Sequence, residues 1–136
     1  MLLVLLIKTR LNSPKAIFED VYGEGESPQE YTGQEYRERI DASVYTNVYV
    51  HDCVFRNISS SESGGAFYCN NSVQSLLVKQ TSFIFCITSK QYGGGIYTYS
   101  SSQCVLSKIC AFSCYSTVSD FSRGHFASIW TTKNNS

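Results

Sequence analysis

The most reactive side chains in the sequence are six cysteines and two histidines. The cysteines are Cys53, Cys69, Cys86, Cys104, Cys110 and Cys114. Zinc sites in small domains usually contain CxxC pairs, and this chain has none. The spacing of Cys110 and Cys114, with His125 beyond them, fits no common metal site. The sequence therefore predicts no metal and no cofactor, and it favours cysteines that act as small apolar residues. Disulfides stay open for an exported chain, without a defined connectivity.

Acidic residues are the other groups that could support catalysis. Lyases and hydrolases of polysaccharides need paired carboxylates, or a bound cation with a basic residue, gathered on one face. The repeated part of the chain contains only Asp52, Glu62 and Asp120. Asp52 and Asp120 have no acidic partner at the matching place between them. The sequence predicts no catalytic residue, and a carbohydrate-active enzyme remains an alternative.

The distribution of charge argues against a nucleic-acid partner. The formal net charge is zero, and residues 42–136 carry three acidic and six basic residues. No Lys/Arg cluster is present that could follow a phosphate backbone. We therefore expect no binding to nucleic acid.

Signals for export are incomplete. Residues 1–7 are apolar, but they lack the basic start and the small-residue cleavage site of a signal peptide. No stretch approaches the roughly twenty apolar residues of a membrane-spanning helix. Asn57, Asn70 and Asn134 begin Asn-x-Ser/Thr sequons, which are glycosylation sites only in a secretory compartment.

Residues 1–43 form an acidic N-terminal segment, predicted to be irregular or to contain a short helix. Ser27 stands at an N-cap position, with Pro28 at the first helical position and Glu30 at the third. This pattern predicts a helix over about 28–39, which could cap the open end of a repeat array. A disordered acidic linker is the alternative.

One motif is written three times between residues 44 and 130, and residues 131–136 follow as a polar tail. Each copy has a run rich in Val, Ile, Phe and Thr, then a polar gap, then glycine followed by an apolar residue. The first copy spans residues 47–68, the second 76–97 and the third 105–127. The copies recur about every 29 residues, and each contains about three short runs of strand-forming residues. A repeat of this length favours a solenoid.

The period predicts an all-β fold, a single-stranded parallel β-helix of about three coils. Its right-handedness follows the precedent of parallel crossovers. The predicted interior contains three ladders, which are Phe55, Phe83 and Phe112; Phe67, Ile96 and Phe126; and Gly65, Gly94 and Gly124. The glycines are expected where a loop enters a strand and neighbouring coils approach closely.

The motifs Phe55-Arg-Asn57 with Gly64-Gly-Ala-Phe-Tyr68, and Phe83-Ile-Phe-Cys86 with Gly94-Gly-Ile-Tyr97, resemble the repeats of polymorphic outer-membrane-type proteins. Similar right-handed β-helix repeats occur in surface proteins of parasitic protists. The resemblance covers roughly residues 44–130. It implies adhesion or surface display, an extracellular location, and relatives that are much longer, which suggests a fragment or a short family member.

The sequence thus favours a non-enzymatic β-helix module that contacts an unidentified protein or glycan at a cell surface. Tyr68, Tyr97 and Tyr99 would suit such contacts. Uncapped coil ends would favour self-association, because they present unpaired strand edges. The alternatives are a polysaccharide lyase or hydrolase, and a vestigial fragment without an independent function.

Overall fold

The structure is a computed structural model that describes residues 14–25, 27–90, 92–101, 103–118 and 126–131. These residues form one helix, α1 (Pro14–Tyr22), and eleven strands. The strands are β1 (Gln29–Thr32), β2 (Glu35–Tyr36), β3 (Ile40–Asp41), β4 (Asn47–His51), β5 (Val54–Ser60), β6 (Phe67–Cys69), β7 (Ser75–Thr88), β8 (Ile96–Ser101), β9 (Gln103–Phe112), β10 (Tyr115–Ser116) and β11 (Ala127–Thr131). The predictions made for Gly124 and Asn134, and for residues 1–7, lie outside the described residues.

The strands form two sheets in which every pair among the described residues is parallel. One sheet has the order β1-β4-β7-β5-β2, with β9 and β10 also paired to β7. The other has the order β11-β8-β6-β3. The described chain is therefore mostly parallel β-sheet with almost no helix, which agrees with the all-β prediction.

The first sheet is curled because its strands bend at two recurring places. Strand β7 runs for 14 residues, and its successive parts pair with β4 and then with β5. Left-handed backbone, with φ near +50°, recurs every 28 residues at Asp52, Gln80 and Lys108, and again at Asn57, Phe85 and Ser113. A residue in this conformation changes the direction of the strand, so each copy turns at the same two places.

The predicted helix over 28–39 is wrong, because this segment forms β1 and β2. Strand β1 pairs in parallel with β4, and β2 pairs with β5, so their backbone groups are satisfied between strands. The rings of Tyr31 and Tyr36 enter the core against Phe67 and Phe55, with centroids 5.8 Å and 5.0 Å apart. Aromatic burial outweighs a local helix signal in which Gly33 was already unfavourable. The paired strands also begin before residue 44, where the repeats were expected to start.

Helix α1 does not cap an end of the sheets. It lies across the outer face of the first sheet, where Phe18 packs with Tyr49 and Leu77. All three side chains are almost fully buried, at 4%, 1% and 1% exposure. The hydroxyl of Tyr22 donates a hydrogen bond to the carbonyl of Leu76. The helix thus covers outward apolar residues of β4 and β7 that would otherwise meet solvent.

One aromatic column runs through the core. Tyr36, Phe55 and Phe83 are in register on successive strands, and the rings of Phe55 and Phe83 lie 4.9 Å apart at an angle of 4°. The predicted continuation at Phe112 is wrong. Phe112 pairs with Ile84, is 58% exposed, and touches the exposed ring of Phe85. The third copy follows at 28 residues and not at 29, and a shift of one residue turns a strand side chain to the opposite face.

The space beside Phe83 is taken by a different ring. Phe126 packs against Phe83 at 5.1 Å, whereas Ala127 is the residue in register with Ile96 and Phe67. The predicted column of Phe67, Ile96 and Phe126 is therefore correct in register for the first two residues, and its third position belongs to Ala127.

The glycine ladder places two copies in close backbone contact. The amide of Gly65 donates a hydrogen bond of 3.0 Å to the carbonyl of Gly93. A Cβ atom on Gly65 would lie 2.2 Å from the carbonyl oxygen of Gly94, and one on Gly94 would lie 2.3 Å from the amide of Tyr115. Only a residue without a side chain fits this approach.

Candidate functional site

A group of aromatic side chains lies on the outer face of the second sheet. We call it the tyrosine face, and it consists of Tyr68, Tyr92, Tyr97, Tyr99 and Trp130. The alternation of side chains along β6, β8 and β11 turns Tyr68, Tyr97, Tyr99 and Trp130 outward, while Phe67 and Ile96 point to the core. Tyr92 precedes β8 and joins the group by stacking on Tyr97. Large aromatic side chains gathered on an outer surface mark an interaction surface more often than scattered ones do.

Three rings of the tyrosine face stack on one another. Tyr68 and Tyr97 are in register, with centroids 5.7 Å apart, and Tyr92 stacks on Tyr97 at 5.2 Å. Tyr99 and Trp130 extend the group and are 50% and 44% exposed. Because the stacked rings cover one another's faces, the surface offers ring edges and side chains that combine apolar area with hydrogen-bonding groups.

Charged side chains border this face at a cleft of about 420 Å³, lined by Arg39, Asp41, Glu62, Ser63, Tyr68 and Tyr97. The guanidinium carbon of Arg39 lies 4.9 Å above the centre of the Tyr68 ring. Arg39 also donates hydrogen bonds to the carbonyls of Gly64 and Ser63, at 2.9 Å and 3.0 Å. The arginine is thus held rigidly, and its charge stays beside the aromatic surface.

A second cleft, of about 360 Å³, adjoins the first at Ser63 and is lined by Ser89, Lys90, Tyr92 and Val118. Lys90 therefore shares a cleft with Tyr92, while Arg39, Asp41 and Glu62 share the other cleft with Tyr68 and Tyr97. The hydroxyls of Tyr68 and Tyr97 are protonated at neutral pH, as in any tyrosine, and can donate hydrogen bonds; burial raises the pKa of both groups further.

The sequence named only part of this site. Tyr68, Tyr97 and Tyr99 were predicted as contact residues, whereas Tyr92 and Trp130 were not. Tyr92 lies just before the glycines of the second copy, and Trp130 lies after residue 127, where the third copy of the motif ends. Neither position belongs to the part of the motif that recurs. Arg39 and Asp41 were missed because their segment was predicted to be helical or irregular.

A second polar cluster, on the first sheet, was also missed by sequence reasoning. The imidazole of His51 lies 2.6 Å from a Glu30 carboxylate oxygen and 2.7 Å from one of Asp52. Its ring stacks on Tyr49 at 4.3 Å. The parallel pairing of β1 with β4 brings Glu30 next to this strand, and the helical interpretation of residues 28–39 concealed that pairing. Both carboxylates bond to one imidazole, which gives this cluster a local structural role.

The predicted glycosylation sequons differ in their surroundings. Asn57 is exposed and occupies one of the left-handed positions, with φ of +53°. Asn70 is half-buried, and its side-chain oxygen accepts a hydrogen bond of 2.9 Å from the amide of Ser72. Asn57 is therefore the more accessible of these two amides.

The cysteines are free thiols in this structure, and three of them bond to backbone carbonyls two residues earlier. The thiols of Cys53, Cys86 and Cys114 lie 3.1 Å, 3.7 Å and 3.4 Å from those oxygens. Thr81 makes the same contact with its hydroxyl at 2.9 Å. Each of these residues directly follows a left-handed residue, so a small donor at this place satisfies a carbonyl at the bend.

Two further kinds of feature are absent from the described residues. Within the ranges given above, His, Cys, Asp and Glu side chains do not come together in groups of three that could hold a metal ion. Among the same residues, no helix has the length and apolar character needed to cross a membrane.

The geometry thus defines a parallel β-repeat protein with an aromatic outer surface. A family model for the Chlamydia polymorphic membrane protein (Chlamydia_PMP) repeat matches residues 52–70. The matched stretch contains both Phe55-Arg-Asn57 and Gly64-Gly-Ala-Phe-Tyr68. The match supports a polymorphic outer-membrane-protein-type family, which confirms the predicted resemblance, and it suggests a surface-associated protein. Neither the curated proteins nor the solved structures contain a significant match to the chain.

Proposed function

We propose that this chain is a non-enzymatic adhesion module, displayed at a cell surface, that binds a protein partner through the tyrosine face. Its fold in this proposal is a right-handed parallel β-helix. The observation that carries the binding role is the stack of Tyr68, Tyr97 and Tyr92 beside the fixed guanidinium of Arg39. The family suggested by the repeat supports display at a surface.

A protein partner suits this surface better than a glycan does. Tyrosine, tryptophan and arginine are the residues that most often dominate the energy of protein interfaces. A sugar ring usually packs on an aromatic face, whereas the stacked faces of Tyr68, Tyr92 and Tyr97 are largely covered by each other. Hydroxyl groups and ring edges in a row instead fit backbone and side-chain groups of a polypeptide.

The location is tested by labelling intact source cells with a membrane-impermeant biotin reagent and then detecting this chain. We expect labelling equal to that of a known surface protein. A chain that stays unlabelled while the surface protein reacts would remove display from the proposal.

The binding role is tested with beads that carry the purified chain and are offered to cultured animal cells. Replacing Tyr99 and Trp130 by serine should weaken bead attachment about tenfold, the effect of losing about 1.4 kcal/mol. Phe112→Ser is the control, because Phe112 is also an exposed aromatic residue but lies on the first sheet. Protease treatment of the cells should abolish attachment. Loss of attachment after glycan removal alone would replace the protein partner by a glycan, and equal binding by both variants would overturn the site.

A carbohydrate-active enzyme is the second candidate, and one observation favours it. Asp41 and Glu62 line the same cleft, and hydrolases of glycosidic bonds use two carboxylates that flank the bond. The test is the release of new reducing ends from soluble polysaccharides, with Glu62→Gln as the comparison. Release that depends on Glu62 would establish the enzyme, and its absence agrees with the non-enzymatic proposal.

Self-association through strand edges is part of the same proposal. Among the described residues, β9 and β10 pair only with β7, and β11 pairs only with β8. Each of these strands therefore has one edge that is not paired with another described strand. Parallel strands of another copy could extend both sheets in the same direction. Sedimentation should show species larger than a monomer at micromolar concentration, and a single monomeric species would exclude this part.

A further inference from the structure

Two cysteines of the second and third copies are neighbours on adjacent strands. Ile84 pairs with Phe112, and Ile87 pairs with Tyr115, so both flanking pairs hold the same offset of 28 residues. Cys86 and Cys114 lie between these pairs and are therefore in register. In-register residues of adjacent strands have Cα atoms about 4.8 Å apart, within the range of about 4.4–6.8 Å found for disulfides.

The side chains of Cys86 and Cys114 point into the same region of the core. Cys86 is fully buried, Cys114 is 8% exposed, and both belong to the main core cluster. Each thiol follows a left-handed residue, Phe85 or Ser113, and each contacts a carbonyl two residues earlier. The repeated bend therefore gives the two Cα–Cβ bonds the same direction at neighbouring levels, so that the two sulfurs lie side by side in the core.

We propose that Cys86 and Cys114 are a redox-active dithiol, which small-molecule disulfides convert into a disulfide bond between the second and third copies. In the first step the Cys114 thiolate attacks one sulfur of the small disulfide. A bond forms from Cys114 to that sulfur, the disulfide bond breaks, and one small thiolate leaves. In the second step the Cys86 thiol loses its proton and attacks Cys114, which releases the second small thiolate. Two protein thiols are oxidised and one small disulfide is reduced to two thiols.

Access and acidity both assign the first step to Cys114. It is the more exposed member of the pair, and β10, which begins at the next residue, pairs among the described strands only with β7. The adjacent Cys86 thiol lowers the pKa of the Cys114 thiol, against the opposing effect of burial. The adjacent Cys114 thiol, together with burial, raises the pKa of Cys86. Cys114 is thus the attacking thiolate and Cys86 the resolving thiol.

The chain contains an internal comparison. Cys69 and Cys104 also lie close enough to affect each other, and burial raises the pKa of both. Since the attacking species is a thiolate, we expect this pair to react with disulfides much more slowly than Cys86 and Cys114 do. A general tendency of buried cysteines to oxidise would not produce this difference.

The test exposes the full chain to glutathione disulfide at neutral pH, alkylates the remaining thiols and maps non-reduced tryptic peptides by mass spectrometry. A Cys110→Ser background is used because Cys110 and Cys114 share the tryptic peptide that follows Lys108. We expect a cross-linked product of the peptides that contain Cys86 and Cys114, lighter by two hydrogen atoms than their sum. If Cys86 and Cys114 both stay alkylatable, or if the main linkage joins other cysteines, the proposal is overturned.

Two variants examine the order of the steps. Cys86→Ser should trap glutathione on Cys114, whereas Cys114→Ser should leave Cys86 unmodified. Serine keeps a donor for the carbonyl at the bend, as Thr81 does in its own copy. Cys53→Ser is the control, because the register places no cysteine beside Cys53, and its cross-linking should equal that of the parent. Equal glutathione adducts on Cys86 and Cys114 in the two variants would contradict the assigned order.

Oxidation should also change the stability of the parent protein, without any substitution. A bond that closes the chain between residues 86 and 114 restricts the unfolded state and should raise the urea midpoint of the oxidised protein. Reduction by dithiothreitol should reverse that shift. An unchanged midpoint in a fully cross-linked sample would contradict a disulfide bond between the second and third copies that fits the native fold.

Discussion

Phe83 lies face to face with Phe55, with ring centroids 4.9 Å apart and planes 4° from parallel. Both rings are completely buried, and Phe126 packs against Phe83 from the third copy. The contact therefore joins three copies of the motif at one point of the core. Burial of such rings is a main favourable term in the stability of the two sheets.

Removing the Phe83 ring should strongly destabilise the fold. Phe83→Ala is expected to lower the free energy of unfolding by about 3–5 kcal/mol, since it deletes apolar contacts and leaves a cavity between neighbouring aromatic rings. Urea denaturation followed by circular dichroism measures the change. Phe112→Ala is the matched control and should stay within about 0.5 kcal/mol of the parent, because Phe112 is 58% exposed. Equal losses from the two variants would contradict the register in which Phe112 pairs with Ile84.

That register explains how far the sequence could predict the fold. The recurrence of Phe55 and Phe83, and of Gly65 and Gly94, was enough to predict repeated strands, because the two members of each pair contact each other from neighbouring copies. The third copy has alanine at residue 111, the position in register with Phe83. The repeat pattern therefore predicted the adjacent Phe112 as the ladder residue. An error of one residue exchanges the inner and outer faces of a strand.

Segments that pair far from their sequence neighbours were the hardest to predict. Residues 28–39 carry a local helix signal. They form β-strands because Tyr31 and Tyr36 pack on aromatic rings of later strands. The clusters around Arg39 and around His51 depend on that decision. The tyrosine face was found in part, because alternation along β8 already places Tyr97 and Tyr99 on one side.

A side chain at Gly65 should disturb the close backbone contact between neighbouring copies. Gly65→Ala should lower the free energy of unfolding by about 2 kcal/mol or more, since its Cβ would lie 2.2 Å from the carbonyl oxygen of Gly94. Backbone atoms cannot turn aside as a flexible side chain can. Gly25→Ala is the control, because a Cβ there meets nothing within 4 Å, and its change should stay within about 0.5 kcal/mol. Similar urea midpoints for the two variants would show that the copies are farther apart than described.

Helix α1 should be separable from the sheets by one substitution. Phe18→Ala removes the ring that packs on Tyr49 and Leu77. We expect a loss of about 3 kcal/mol, at the low end for phenylalanine, because the helix can detach without leaving a sealed cavity. Limited proteolysis should then cut within residues 14–25 while the strands stay intact. Val21→Ala, at a 42% exposed position of the same helix, should leave the cleavage rate unchanged. Faster cleavage throughout the strands of Phe18→Ala would show instead that the helix is required for the whole fold.

Alkaline pH should weaken the fold through Tyr31. Burial raises the pKa of this tyrosine to about 12, from an ordinary value of 10, with smaller contributions from Tyr45, Cys69, Tyr36 and Asp41. Between these two values the unfolded chain loses the phenol proton while the folded chain keeps it. Stability supplied by a neutral Tyr31 is therefore complete below pH 10 and declines as the pH rises towards 12. Urea midpoints measured across this window should fall more steeply for the parent than for Tyr31→Phe, which has no proton to lose. If the two slopes agree, the Tyr31 hydroxyl ionises as readily in the folded chain as in the unfolded one, and its position against Phe67 cannot be as buried as described.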